Sequence, residues 1–127
     1  MLRWTDMAKI LIAEDDRFLS TAFQIKLTKL GNEVKIAGDG NAVLEILKTF
    51  TPDIILLDLI MPVKDGFGVL EDLKANKILE TIPVVISSNL GEKEEIDKGL
   101  ALGARDFIVK NSISLEDLDK KLKSYIK

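Results

Sequence analysis

The chain has no cysteine and no histidine. Without cysteine there is no disulfide framework and no thiolate metal site, and a reducing cytoplasm is the compatible setting. Without histidine, imidazole bases and the usual zinc ligands are missing too. Any metal or catalytic chemistry must run on carboxylates, hydroxyls, amides and lysine. Long apolar runs are also absent: none approaches the roughly 18 residues that suggest a membrane span. The opening MLRWTDM lacks an apolar stretch of roughly 7 to 15 residues before a small-residue cleavage site, so it does not read as a secretory signal. Nor is there an excess of basic charge. A net charge of -3 argues against general nucleic-acid binding, which usually needs a basic patch.

What is present suits one domain. A chain of 127 residues, 46% hydrophobic and 31% charged, is long enough to bury on the order of two thirds of its unfolded surface in one core. Short apolar runs alternate five times with stretches of helical period, which predicts an α/β fold with a parallel sheet covered by helices on both faces. The predicted strands are KILIA (9–13), EVKIA (33–37), IILLD (54–58), PVVISS (83–88) and DFIVK (106–110). Runs such as ILI, IILL and VVI are continuous rather than alternating, as expected of strands buried on both faces. Val43, Ile46, Leu47 and Phe50 form one helical stripe, and Leu115, Leu118, Leu122 and Tyr125 another. Ser114 with Asp117 resembles a capping box. Gly31-Asn32 and Gly103 close helices, and Pro52 and Pro83 stand ahead of strands three and four. Residues 1–7 fall outside the pattern and read as a poorly ordered N-terminal extension ahead of a domain over 8–127.

Asp58 poses the chemical question. It follows Ile54, Ile55, Leu56 and Leu57 at the end of a run that reads as protein interior, and a charge there is costly unless a cation, metal or set of donors compensates it. Strand one ends in a similar way, with Glu14, Asp15 and Asp16 directly after ILIA. In open α/β sheets the functional crevice lies outside the carboxyl ends of the strands, where the strand order reverses. If strands one and three are neighbours there, Glu14, Asp15 and Asp58 converge. Three carboxylates that close repel one another unless a divalent cation joins them, and hard oxygen ligands suit Mg²⁺. Two more strand ends agree: Ser88 supplies a hydroxyl, and Lys110 supplies a cation for Asp58. Taken singly these residues are bland. Asp16 is a helix cap, Ser88 a loop hydroxyl and Lys110 a surface lysine; their agreement carries the reading.

The stretches ILIAEDD, IILLDLIMPVKDG, PVVISSN and ALGARDFIVK, with the spacing between them, resemble the receiver domain of two-component response regulators over about residues 8–127. The resemblance implies a doubly wound (βα)5 fold, its five-stranded parallel sheet in order 2-1-3-4-5. It implies that Glu14 and Asp15 bind Mg²⁺ together with Asp58 and the backbone carbonyl of Ile60, with Asp15 a direct ligand. Asp58 matches the phosphoryl acceptor, Ser88 the hydroxyl that bonds the phosphoryl group, Lys110 its lysine partner and Phe107 the switch aromatic. The implied partners are a sensor histidine kinase or histidine phosphotransfer protein as donor, and a downstream protein target or output domain. Neither nucleic acid nor membrane is contacted directly, and the protein is a monomer or a phosphorylation-dependent dimer. The implied protein is a cytoplasmic switch whose output surface is helix four, strand five and helix five, and it catalyses its own phosphorylation and slow dephosphorylation.

Some positions depart from the family pattern. Asn111 stands where proline behind a cis peptide bond is usual, and a non-proline cis bond costs about 3 kcal/mol, so a trans Lys110–Asn111 bond is expected. Ile60 and Leu90, two positions after the acceptor and the hydroxyl residue, are both apolar and cannot orient an attacking water, which predicts a long-lived phospho-form. Among rivals, a haloacid dehalogenase-type phosphatase needs a second acid where Ile60 sits. A flavodoxin-like protein needs a first loop rich in Ser, Thr and Gly, not Glu-Asp-Asp. A pseudo-receiver acting as a phosphorylation-independent interaction module is the remaining alternative, and the intact Glu14, Asp15, Asp58, Ser88 and Lys110 argue against it. No output module follows within the 127 residues, so either a stand-alone regulator or a receiver unit of a larger protein is expected.

Overall fold

The protein is described by a computed structural model covering residues 7–89 and 92–126. The expectation for the N-terminal extension therefore lies, apart from Met7, outside the described residues. Five strands alternate with five helices: β1 (Lys9–Ala13), α1 (Arg17–Lys29), β2 (Glu33–Ala37), α2 (Gly40–Leu47), β3 (Ile54–Asp58), α3 (Gly66–Ala75), β4 (Val84–Ser88), α4 (Lys93–Ala101), β5 (Asp106–Val109) and α5 (Leu115–Lys123). A short 3₁₀ turn, Ile78–Glu80, precedes β4. All pairings are parallel and the order is β2-β1-β3-β4-β5, the predicted 2-1-3-4-5 arrangement. The order reverses between β1 and β3, so the ends of these two strands flank one crevice.

The continuous apolar runs are buried because helices cover both faces. On one face, Leu11, Ile55, Leu57, Val84 and Ile86 pack with Val43 of α2 and Val69, Leu70 and Leu73 of α3. On the other, Ile10, Ile12, Ile54, Leu56 and Val85 pack with Phe23 and Leu27 of α1 and Leu118 and Leu122 of α5. The central β3 is buried at every position, whereas the edge strand β2 alternates. The α2 stripe runs past the helix: Leu47 is its last residue, and Phe50 stays buried through an N–H bond to the Ile46 carbonyl.

Side-chain caps fix where four helices begin. Asp16, Asp39, Asp65 and Ser114 accept hydrogen bonds from the backbone N–H of Leu19, Ala42, Gly68 and Asp117, satisfying donors that a helix start leaves free. Asp16 is thus the N-cap of α1, and Ser114 makes one half of the capping box expected there. Helix α4 starts without such a bond. Strands β4 and β5 are each one residue shorter than predicted, starting after Pro83 and ending before Lys110. Proline has no N–H to give the ladder.

Candidate functional site

The ends of β1, β3 and β5 bring three of the predicted residues into direct contact. Lys110 Nζ lies 2.8 Å from Glu14 Oε1 and 3.3 Å from Asp58 Oδ2. Glu14 and Asp58 are buried, at 3% and 6% exposure, while Asp15 is exposed. One carboxylate oxygen from each of Glu14, Asp15 and Asp58 lies within 4.8 Å of those of the other two. Oxygens on opposite sides of a Mg²⁺ ion are about 4.2 Å apart, at about 2.1 Å per bond, so a cluster gathered within 4.8 Å is near the size such an ion needs, and its all-oxygen donor set suits it. The pairing that the sequence argument required, β1 beside β3 with Ala13 opposite Leu57, produces this convergence.

Local geometry orients each group. Asp58 Oδ1 accepts the Ile60 N–H at 3.2 Å, leaving Oδ2 to Lys110. Glu14 Oε2 accepts the Asp16 N–H at 3.1 Å. Burial pushes the Glu14 carboxyl up to about 7 from an ordinary 4.5; hydrogen bonds from Lys110 and the Asp16 amide oppose the rise, and the Asp58 charge adds to it. Burial pulls the Lys110 ammonium down, but the Glu14 bond and the two carboxylate charges outweigh it and hold the group above its ordinary value. The loop after β3 returns tightly beneath the acceptor. A Cβ on Gly66 would sit 2.5 Å from the Asp58 carbonyl oxygen, and the Gly66 N–H bonds the Leu59 carbonyl at 2.8 Å. Only glycine fits that approach. In the same loop the Lys64 N–H donates to the Pro62 carbonyl at 2.8 Å, with Val63 at φ 70° between them.

Ser88 and Phe107 are arranged differently from the other predicted residues. The Ser88 hydroxyl is buried, and its hydrogen bonds run to the Asn89 carbonyl at 3.3 Å and to Glu92 Oε2 at 3.1 Å, not to Asp58. Phe107 is partly exposed, with Lys121 Nζ 5.7 Å from its ring centroid, and it lines a groove with Ile96 and Val109. The Ile60 side chain is exposed to solvent. Every peptide bond among the described residues is trans, Lys110–Asn111 included. Leu90 lies outside the described residues.

Two residues escaped sequence reasoning. Ser87 pairs in register with Asp58, and its hydroxyl is the one buried side-chain polar atom without a partner among the described residues. Glu92, which holds the Ser88 hydroxyl, gave no sequence signal because nothing in its spacing from Ser88 marks the contact.

The profile of the Response regulator receiver domain matches residues 10–123. The chain belongs to that family. Among solved structures it is similar to the receiver domain of the Francisella response regulator 1452, with a TM-score of 0.83 and 30% identity over 93% of this chain and 95% of that one. It is also similar to the chemotaxis response regulator CheY4 of Vibrio cholerae, with a TM-score of 0.84 and 28% identity over 94% and 99% of the two chains. The probable transcriptional regulator ycf27 of Cyanophora paradoxa is 32% identical over 119 residues, 94% of this chain and 48% of that protein. The chain therefore spans about half the length of the curated relatives it matches. As a response regulator receiver domain it functions in two-component signalling, a setting in which response regulators interact with histidine kinases and output targets. Receiver domains generally bind Mg²⁺, and Glu14, Asp15 and Asp58 are the acidic cluster suited to it here.

Proposed function

We propose that this receiver domain is a phosphorylatable switch that accepts a phosphoryl group on Asp58 from a phosphohistidine of another protein. The observation that carries the reading is the contact of Lys110 with both Asp58 and Glu14 at the strand ends. An Asp58 carboxylate oxygen attacks phosphorus; an O–P bond forms as the donor's N–P bond breaks, and the imidazole leaves with the electron pair. Charge in such a transition state spreads over three phosphoryl oxygens, so catalysis consists of positioning and cations. Mg²⁺ held by Asp15, Asp58 and the Ile60 carbonyl, with Glu14 behind them, would supply the divalent charge. Lys110 supplies the second cation and Ser88 a hydroxyl donor.

The acyl phosphate adds roughly one unit or more of negative charge at the strand ends. That charge draws Ser88 toward Asp58, and Phe107 turns toward the space vacated, altering the surface of α4, β5 and α5. Phe18, exposed in the first turn of α1 two residues after the Asp16 cap, offers an apolar anchor for a donor protein. No helix among the described residues is long and apolar enough to cross a membrane, and we place the switch in the cytoplasm. The domain spans residues 8–127 behind a short extension.

Intact-mass measurement after treatment with acetyl phosphate and Mg²⁺ tests the assignment. Wild type should gain one phosphoryl group and Asp58→Asn none. Equal gain in both, or none in either, favours the pseudo-receiver reading, in which the fold serves only as an interaction module.

A further inference from the structure

Helix α4 is the one α-helix that begins without a side-chain cap among the described residues. Its N-cap residue, Glu92, turns its carboxylate back toward the end of β4 instead. Oε1 accepts the Asn89 N–H at 3.2 Å and Oε2 accepts the Ser88 hydroxyl at 3.1 Å. Ser88 is 1% exposed, so water does not compete for its proton. The other acceptor within reach is the Asn89 carbonyl at 3.3 Å. A hydroxyl has a single proton to donate, and a bond to an ionised carboxylate is roughly twice as strong as one to a neutral acceptor. The Ser88 proton is therefore committed to Glu92.

We propose that Glu92 is a positioning residue: it latches the Ser88 hydroxyl to the start of α4 and must release it before Ser88 can serve a phosphoryl group on Asp58. The inference rests on the acceptor reading of Asp58 and adds to it a resting-state competitor for the same proton. A phosphoryl group on Asp58 and the Glu92 carboxylate are rival anionic acceptors for one donor, so the switch exchanges one charge-assisted bond for another. Because the same carboxylate also holds the Asn89 amide, release of Ser88 reaches the first turn of α4. The consequence is legible at the surface, since Asn89, Glu92, Ile96 and Phe107 line one groove. The latch thus sets how far the unphosphorylated protein is biased toward rest.

Beryllofluoride, a phosphoryl mimic, tests this in the presence of Mg²⁺, with affinity measured by calorimetry for wild type, Glu92→Ala, Glu92→Gln, Ser88→Ala and the Ser88→Ala/Glu92→Ala pair. Removing the carboxylate should tighten binding about tenfold, the scale of one hydrogen bond to a charged group. Glu92→Gln keeps an acceptor oxygen without the charge and should gain roughly threefold; it also carries the test if the alanine variant folds poorly. In the Ser88→Ala background the Glu92→Ala gain should vanish, because the latch acts only through that hydroxyl. Unchanged or weaker binding in both Glu92 variants overturns the proposal, as does a gain that persists without the Ser88 hydroxyl. Wild type that binds no beryllofluoride and takes up no phosphoryl group overturns the acceptor reading, and the latch with it.

Discussion

Lys110 and Glu14, 96 residues apart in the chain, are joined by a 2.8 Å ion pair, shorter than the 3.3 Å contact between Lys110 and Asp58. The lysine thus holds the ends of β5 and β1 together as well as facing the acceptor. Above about pH 7, where Glu14 is ionised in wild type, removing it leaves the buried Glu14 and Asp58 carboxyls facing each other without a counter-ion. Breaking a buried pair by deleting one partner costs about 3 kcal/mol or more. Lys110→Ala should therefore lose about that much stability in metal-free buffer, recover part of it with Mg²⁺, and take up phosphoryl groups far more slowly. Denaturant unfolding with and without Mg²⁺ measures the first two effects. A variant as stable as wild type without metal would contradict this account.

The Glu14 carboxyl makes metal-free stability depend on pH. Burial pushes it up to about 7 in the folded protein, against an ordinary 4.5. Between those values the folded state holds a proton that the unfolded chain has released. Stability therefore falls as pH rises through this window and levels off above about 7. At 1.36 kcal/mol per unit, the upper bound is roughly 3 kcal/mol. Urea unfolding in chelator at about pH 5, 6 and 7 should show the decline in wild type and a weaker one in Glu14→Gln. Equal slopes in the two proteins would remove Glu14 as the cause.

Strands β1, β3, β4 and β5 were legible because each is a short apolar run closed by a polar residue, whereas β2 showed by its alternation, and the site was legible for the first reason. Glu14, Asp58, Ser88 and Lys110 all stand where such a run ends. Contacts that depend on register or loop path were not. Ser87 looked like a neighbour of Ser88, and only the β3–β4 register shows that it faces Asp58's position across the ladder. Glu92 reads as an ordinary acid ahead of a helix until its carboxylate is seen to accept the Ser88 hydroxyl. The positive φ at Val63 was invisible too, since a β-branched residue is the last type expected there.

Val63 sits at φ 70° in the turn that follows the acceptor. A positive φ spanned by the Lys64 N–H to Pro62 carbonyl bond is the rare, strained γ-turn, which costs roughly 1 to 3 kcal/mol, and asparagine tolerates positive φ better than a β-branched valine. The side chain is exposed, so little packing is lost on replacement. Val63→Asn should stabilise the protein by about 1 kcal/mol, raising the thermal midpoint by several degrees. A lower midpoint would mean that the valine side chain contributes a contact outweighing the strain.

The unpartnered hydroxyl of Ser87 predicts a second stabilising change. A buried hydroxyl without a hydrogen bond forfeits about 1 to 3 kcal/mol of solvation. Ser87→Ala removes only that atom and leaves the ladder to Asp58 and Ile108 intact. Thermal unfolding should show a rise worth about 1 kcal/mol, with phosphoryl uptake unchanged. A loss of stability would reveal that the hydroxyl has a partner, such as an ordered water between the strands.

The lifetime of the phosphorylated form follows from Ile60. Hydrolysis of an acyl phosphate speeds up when a side chain near the phosphorus orients a water molecule and takes its proton. Two residues after the acceptor, Ile60 presents an exposed aliphatic chain with no such group, and its backbone N–H is spent on Asp58 Oδ1. The phospho-form should persist for hours rather than seconds, a rough scale set by the missing base. Ile60→Gln restores a polar group that can hold the water and should shorten the half-life several-fold. Intact mass followed over time, after the acetyl phosphate is removed at neutral pH, reads both values. Decay of the wild type within seconds would show that another group, from the loop after β4 or from solvent, supplies the positioning that Ile60 lacks.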